Sequence, residues 1–123
     1  MLRLWGPVVA WMALLFAVSS RAGWGRVSQI PDWMTHGAGY AVLAVLACRA
    51  LARGLGRPVT ARAAALAVLI STVYGVTDEL HQSFVPGRIA DAWDLLKDAA
   101  GAAAGALACA WPRPASARRR KAA

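Results

Sequence analysis

The chain has too few charged residues for a soluble domain of its length. Only 16% of its 123 residues are charged, whereas 59% are hydrophobic, and the mean hydropathy is +0.45. Soluble domains typically carry roughly 25% charged residues. The composition therefore excludes an ordinary soluble domain and predicts that lipid solvates most of the chain.

Acidic residues are scarcest, with six Asp and Glu against 14 Lys and Arg and a net charge of +8. Such an excess indicates a nucleic-acid partner only when the basic residues share one soluble face. Here they lie in the connections and at the two ends of the chain, so we expect no nucleic-acid binding. Dense metal-binding motifs such as His-Glu-x-x-His are missing too, and the sequence predicts neither a metal centre nor a cofactor.

Four long apolar runs make up most of the chain. Each is close to the roughly 17–25 residues that cross a hydrocarbon core about 30 Å thick. They predict an all-α integral membrane bundle of four transmembrane helices, which forms one domain over residues 1–112. A basic cytoplasmic tail over residues 113–123 is expected to be disordered. The runs cover residues 4–19, 33–51, 61–77 and 95–111.

The first run also has the outline of a signal peptide, with a basic amino end and small residues near Ala22. Cleavage would remove the first helix and leave the orientation of the others unchanged. We favour an uncleaved helix, because the run is long for a signal core and supplies a packing partner for the other three helices.

The distribution of basic residues predicts the orientation of the bundle. They are concentrated at the amino end, in the second connection and at the carboxyl end, whereas the other two connections hold the acids. The positive-inside rule therefore places both termini and the second connection in the cytoplasm. Tryptophans form belts at the two predicted interfaces: Trp24, Trp33 and Trp93 at the outer one, Trp5 and Trp111 at the inner one.

Cysteine is limited to Cys48 and Cys109. Both lie near predicted cytoplasmic helix ends, where thiols stay reduced, so we expect no structural disulfide. Both are interpreted as small buried hydrophobic residues.

Polar residues occupy the predicted outer part of the second, third and fourth helices. Asp32, His36 and Tyr40 are spaced four apart, so they share one helix face that runs from the outer surface into the membrane. Ionisable groups beside long apolar runs are costly to bury and by default mark a functional site.

The third helix is expected to continue beyond its apolar run, because Tyr74, Asp78 and Gln82 are spaced four apart, with Glu79 beside them. The dipeptide Pro86-Gly87 then turns the chain back, with Arg88 at the exit of the turn. Arg88 is the best-placed cation for a pocket at this level, and we expect Glu79 and Asp94 to be its partners.

The fourth helix carries one stripe with an acidic upper half and a glycine lower half. The Gly101-x-x-x-Gly105 pair lets another helix approach closely, and Lys97 is expected to extend outward or to pair with Asp94 or Glu79. The stripe consists of Asp91, Asp94, Asp98, Gly101 and Gly105.

These residues resemble the VanZ-like family of small bacterial membrane proteins, named after a protein of glycopeptide-resistance clusters that is associated with teicoplanin tolerance. The family's Asp, His and Tyr pattern is present as Asp32, His36 and Tyr40. Its longest block, Asp-Glu-x-x-Gln-x-Phe-x-Pro-Gly-Arg, is present as Asp78, Glu79, Gln82, Phe84, Pro86, Gly87 and Arg88. Its last block, Asp-x-x-x-Asn-x-x-Gly, corresponds to Asp94, Asp98 and Gly101. The resemblance implies a multi-pass protein of the bacterial plasma membrane.

Two positions depart from the family pattern. Trp33 follows the first aspartate where the family often has lysine, which removes a counter-charge at the outer surface. Asp98 stands where the family often has asparagine, which adds a carboxylate that must be protonated, paired or bound to a cation.

The favoured function is the binding, with or without modification, of an anionic cell-envelope lipid or precursor at the outer leaflet. Arg88 would bind its phosphate or carboxylate, and the resemblance implies a link to glycopeptide tolerance. A catalytic version would use Glu79 or His36 as the general base. The residues assigned to the binding site are Asp32, His36, Tyr40, Asp78, Glu79, Gln82, Arg88, Asp94 and Asp98.

Two alternative functions remain open, and the favoured function leaves room for a bound cation. The polar residues could lock the helices together in a non-catalytic accessory protein. They could form a proton path in a small proton-coupled transporter, which would need a homo-oligomer to enclose it. A divalent cation could bind through the oxygens of Asp78, Glu79, Asp94 and Asp98, although no dense ligand motif supports that reading.

Overall fold

The computed structural model describes residues 2–21 and 32–111, except for the side chains of Leu2, Asp32 and Trp33. Within these ranges the chain forms four helices and no strand, which confirms the all-α prediction for this part of the chain. The predicted tail over residues 113–123 and most of the first outer connection, including Trp24, lie outside the described residues. The helices are α1 (Leu2–Ser19), α2 (Asp32–Leu51), α3 (Ala61–Gln82) and α4 (Ala92–Ala110).

Two of these helices, α2 and α3, are long and apolar enough to cross a membrane. The qualifying segments are Met34–Leu51 and Ala61–Gln82, judged by length and hydropathy. The apolar part of α1, Arg3–Ser19, is shorter, and α4 carries Asp94, Lys97 and Asp98 in its first two turns. Among the described residues, α2 and α3 are thus the two candidate membrane spans.

Local sequence signals define the helix ends. The Thr60 hydroxyl caps α3 by accepting a hydrogen bond from the Ala63 amide at 3.1 Å, and the Asp91 carboxylate caps α4. After α2, Arg53 and Gly54 have φ values of 59° and 139°, so the chain leaves the helical conformation and turns toward α3. Each cap satisfies an amide that the first helical turn leaves without a partner.

The contact between α2 and α4 is the most extensive in the bundle, and it rests on glycine. A Cβ atom on Gly101 would overlap the backbone carbonyl of Gly37 and lie 2.8 Å from its Cα atom; one on Gly105 would overlap the carbonyl of Ala41. The two backbones therefore touch at both positions, as small residues allow in membrane helices.

The interior is lined mainly by small side chains, whereas many large apolar side chains face outward. Ala44, Ala47, Ala67 and Ala102 are fully buried. A soluble protein rarely exposes so many large apolar groups, but a lipid-facing surface is built from them. The outward-facing residues include Leu66, Leu69, Val73, Val76, Leu80, Leu96 and Leu107.

Cysteine labelling tests the orientation that we expect for this bundle. In a background without native cysteines, Ile89→Cys should react with a membrane-impermeant maleimide on intact cells, and Gly56→Cys only after permeabilisation. Ile89 is suited to the test because its side chain is 88% exposed, whereas Gly87 has a φ of 81° that a cysteine would strain. Labelling of Gly56→Cys from outside would contradict cytoplasmic termini.

Candidate polar site at the α3–α4 turn

The last turn of α3 buries three polar side chains. Asp78, Glu79 and Gln82 are 6%, 8% and 1% exposed. The apolar run ends at Thr77, but helical hydrogen bonding continues to Gln82, so these side chains project from a helix into the bundle. Buried polar groups need partners, and their partners define the site.

A chain of hydrogen bonds connects α1 to the turn after α3. The Ser19 hydroxyl donates to Asp78 Oδ1 at 2.6 Å, and Gln82 Nε2 donates to Asp78 Oδ2 at 3.2 Å. Arg88 donates to Gln82 Oε1 through Nε, at 3.2 Å, and also through Nη2. We call Ser19, Asp78, Gln82 and Arg88 the relay; it fixes the Arg88 guanidinium relative to the helices.

The partner of Arg88 differs from the one expected from charge. Pairing with Glu79 or Asp94 was expected, but the guanidinium binds the neutral amide of Gln82. The reason is the tight turn after α3, in which the Arg88 amide donates to the Val85 carbonyl at 3.1 Å and returns the side chain to the end of α3. Among the described residues, no ion pair involves Arg88.

Glu79 holds the start of α4 in place. Its Oε2 atom accepts a hydrogen bond from the Asp91 amide at 3.0 Å. Asp91 in turn accepts from the Trp93 amide at 2.9 Å, so this aspartate serves as the helix cap and does not point into the site. Glu79 Oε1 is buried and finds no hydrogen-bond partner among the described residues.

His36 connects α2 to the acidic stripe of α4. Its Nδ1 lies 3.0 Å from Asp98 Oδ1, and its Nε2 lies 3.9 Å from Asp94 Oδ2. The Lys97 ammonium lies 2.5 Å from Asp94 Oδ1, which is one of the three placements expected for Lys97. Asp98, the carboxylate that stands where the family often has asparagine, is 1% exposed. Its partner is therefore His36 and not water.

Three helices therefore contribute to one cluster. Potential ligand atoms of His36, Glu79 and Asp94 all lie within 4.8 Å of one another. Tyr40 lies one turn deeper on α2, where its ring and the Asp98 carboxylate both pack over Gly75. The side chain of Asp32 lies outside the described residues, so its place in the site stays a prediction.

A family model described as VanZ/LLP1 matches residues 5–113. The chain belongs to the VanZ/LLP1 family. Comparison with curated proteins and with solved structures found no match. Membership confirms the family that the Asp78–Arg88 block indicated, and the matched region includes every residue of the relay and the cluster. Family membership alone does not assign a ligand or a reaction.

Sequence analysis missed several contacts of this VanZ-family site. Ser19 joins the relay, and the Ser20 hydroxyl lies 3.0 Å from His81 Nε2. Both serines lie at the carboxyl end of the first apolar run, which the predicted topology places level with Asp78. This shared level could have indicated that they contact the end of α3. Gly75 was missed as well, although Ser71-x-x-x-Gly75 is a small-residue pair of the kind that permits close packing.

Proposed function

We propose that this VanZ-family protein crosses the bacterial plasma membrane with four helices, both termini in the cytoplasm. At its outer face it binds the anionic headgroup of an envelope lipid or lipid-linked precursor. The observation that carries the proposal is the Arg88 guanidinium, which the relay holds in place through a neutral amide. The guanidinium is therefore held in a fixed position, and no bound carboxylate neutralises its positive charge.

The chemistry of arginine supports a phosphate or carboxylate ligand. A guanidinium has five N–H donors in a planar fork that matches such groups in a bidentate way. Gln82 takes two of the Arg88 donors, so three remain for a ligand. Fixing the side chain in advance reduces the entropy lost on binding.

The surroundings of Arg88 suit a lipid better than a free anion. Phe84 and Ile89 are 78% and 88% exposed, and they flank Arg88 in the same connection. Large apolar side chains next to a cation are typical of an interface between headgroups and acyl chains. A lipid could thus place its phosphate on Arg88 and its glycerol or acyl region on the apolar side chains.

Catalysis is a second form of the same proposal. Glu79 Oε1 is buried without a hydrogen-bond partner, so it could accept a proton from a bound substrate, as a general base must. His36 is the other candidate base, but its Nδ1 is engaged with Asp98.

A non-catalytic packing role is the competing function, and one observation favours it. Both oxygens of Asp78 bind side chains of the bundle, so this carboxylate could serve only to connect α1 with α3. The two functions differ in what Arg88 contributes: packing needs only its contact with Gln82, whereas headgroup binding needs its free donors.

Lipid binding by the purified protein separates these functions. In native mass spectrometry with added phosphatidylglycerol or phosphatidylcholine, the wild type should bind the anionic lipid more tightly. Arg88→Ala should weaken that binding roughly 10- to 100-fold, the equivalent of one charged hydrogen-bonding group. Arg88→Lys should restore little, because an ammonium lacks the planar fork.

Arg57→Ala is the matched control, since Arg57 is exposed in the connection between α2 and α3 at the other end of the bundle. Equal affinity of the wild type for both lipids would contradict headgroup binding. Equal losses in Arg88→Ala and Arg57→Ala would show non-specific attraction, and the packing role would then be preferred.

A further inference from the structure

The cluster of His36, Glu79 and Asp94 has the features of a metal site. We propose that these three side chains bind one divalent transition-metal ion, and that Asp98 orients the histidine. This ligand set differs from the four carboxylates considered from the sequence, because it includes an imidazole. The proposal does not depend on the lipid ligand.

The distances require only a small contraction on binding. His36 Nε2 and Asp94 Oδ2 lie 3.9 Å apart, and potential ligand atoms of the three residues lie within 4.8 Å of one another. Ligands about 2.1 Å from an ion lie roughly 3.0–3.4 Å from each other in octahedral or tetrahedral geometry. Rotations that move each ligand atom by about 1 Å would close the shell.

The contact between His36 and Asp98 prepares the imidazole for a metal. Metal-binding histidines commonly donate their second ring N–H to a carboxylate, which fixes the tautomer and the ring orientation. His36 Nδ1 lies 3.0 Å from Asp98 Oδ1, and a proton on Nδ1 leaves a lone pair on Nε2. That nitrogen is the one nearer to Asp94.

Glu79 supplies an independent indication of a ligand. Its carboxylate is more than nine-tenths buried, and Oε1 has no hydrogen-bond partner while Oε2 accepts from the Asp91 amide. A buried acceptor without a partner is costly. Because Glu79 reaches the other two ligands, a cation bound there would satisfy this oxygen.

The charges in the cluster also favour a cation. Glu79, Asp94 and Asp98 bring three carboxylates together, and the Lys97 ammonium lies 2.5 Å from Asp94 Oδ1. Asp94 Oδ2 faces the histidine, so one aspartate can contact the ammonium and the ion through different oxygens. An ion would relieve the repulsion among the carboxylates.

The ligand types select the class of metal. One imidazole nitrogen with carboxylate oxygens suits Mn²⁺, Fe²⁺ or Zn²⁺, whereas Mg²⁺ and Ca²⁺ prefer oxygen alone. Three protein ligands leave coordination positions open for water or for an exogenous ligand.

Metal titration of the full-length protein in detergent, after removal of metals by a chelator, tests the site. We expect one Mn²⁺ or Zn²⁺ ion per chain, bound more tightly than Mg²⁺. Asp94→Asn should weaken binding strongly, and Asp98→Asn should weaken it about 10- to 100-fold by releasing the histidine. Lys97→Gln should tighten binding, because it removes a competing cation. The control is His81→Gln, which should bind like the wild type.

Electron spin-echo spectroscopy of the Mn²⁺-loaded wild type provides a readout that needs no variant. A directly bound imidazole should give a ¹⁴N coupling, which His36→Gln should lose while circular dichroism shows unchanged helix content. Binding of less than half an ion per chain to the folded wild type, or a Mn²⁺ signal without ¹⁴N coupling, would overturn the proposal. Equal affinities of the wild type, Asp94→Asn and His81→Gln would overturn it too.

Discussion

Replacing Gly101 by alanine is expected to destabilise the protein, although the same replacement at Gly37, across the helix contact, is expected not to. Added Cβ atoms meet different surroundings at the two positions. At Gly101 the atom would overlap the Gly37 carbonyl, whereas at Gly37 no atom of the described part of the chain lies within 4 Å of it. The overlapped atoms belong to the backbone, so no side-chain rotation can relieve the clash, and α2 and α4 would have to separate.

The two alanine variants should change the stability of the protein in opposite directions. Alanine normally stabilises a helix interior by roughly 0.5–1 kcal/mol relative to glycine, so Gly37→Ala should be neutral or stabilising. Overpacking costs about 1–3 kcal/mol and occasionally more, so Gly101→Ala should lower the apparent melting temperature in mild detergent. Gly101→Leu and Gly105→Leu should prevent assembly of a folded bundle, whereas Ala104→Leu should be tolerated, because Ala104 is exposed.

Two outcomes would contradict a backbone contact between α2 and α4. One is a Gly101→Ala variant that melts at or above the wild-type temperature. The other is equal behaviour of Gly101→Leu and Ala104→Leu, which would show that both positions face lipid.

The helices of this bundle were largely predictable from the sequence, because apolar runs and caps are local signals. The end of α3 was predictable as well. Hydropathy falls at Thr77, but the spacing of four between Tyr74, Asp78 and Gln82 indicated a helix that continues to Gln82, where α3 ends. The extension is what turns Asp78 and Gln82 into the bundle, where other side chains satisfy them.

The contacts that site residues make with other helices were harder to predict than the identity of the site residues. The Gly101 and Gly105 stripe is visible along one helix, but its contact with Gly37 and Ala41 depends on the relative shift of two helices. Arg88 shows the same limit. Its charge indicated a carboxylate partner, whereas the geometry of a short turn, which charge does not encode, brings it to Gln82.

Replacing Gln82 by leucine is expected to break the relay and to destabilise the protein by roughly 1–3 kcal/mol, the cost typical of leaving a buried hydrogen-bonding group without its partner. Asp78 Oδ2 would lose its donor and Arg88 its acceptor. Asp78 and Gln82 are both buried, so water cannot readily replace the contact between them. Thr77→Leu is the control, because Thr77 is exposed on the same helix and should change the melting temperature little.

Gln82→Glu separates the stability of the relay from its function. A neutral amide can donate to a carboxylate and accept from a guanidinium at the same time; a glutamate can do only the second. The introduced carboxylate should repel Asp78 but form an ion pair with Arg88, so the loss of stability should be smaller than in Gln82→Leu. Phosphatidylglycerol binding should nevertheless fall about as far as in Arg88→Ala, because the charge that attracts the headgroup is now neutralised.

The two Gln82 variants therefore test two separate claims: that the relay holds Arg88 in place, and that the charge of Arg88 binds the headgroup. If Gln82→Leu has the same melting temperature as the wild type, the relay does not hold Arg88, and the contact between Gln82 and Arg88 does not stabilise the protein. If Gln82→Glu is folded and binds phosphatidylglycerol as the wild type does, the charge of Arg88 is not the headgroup receptor, even where the relay is intact. Only a protein that keeps Arg88 both fixed and unneutralised should bind the anionic lipid at full strength, because the fork must be aligned and its charge must be available.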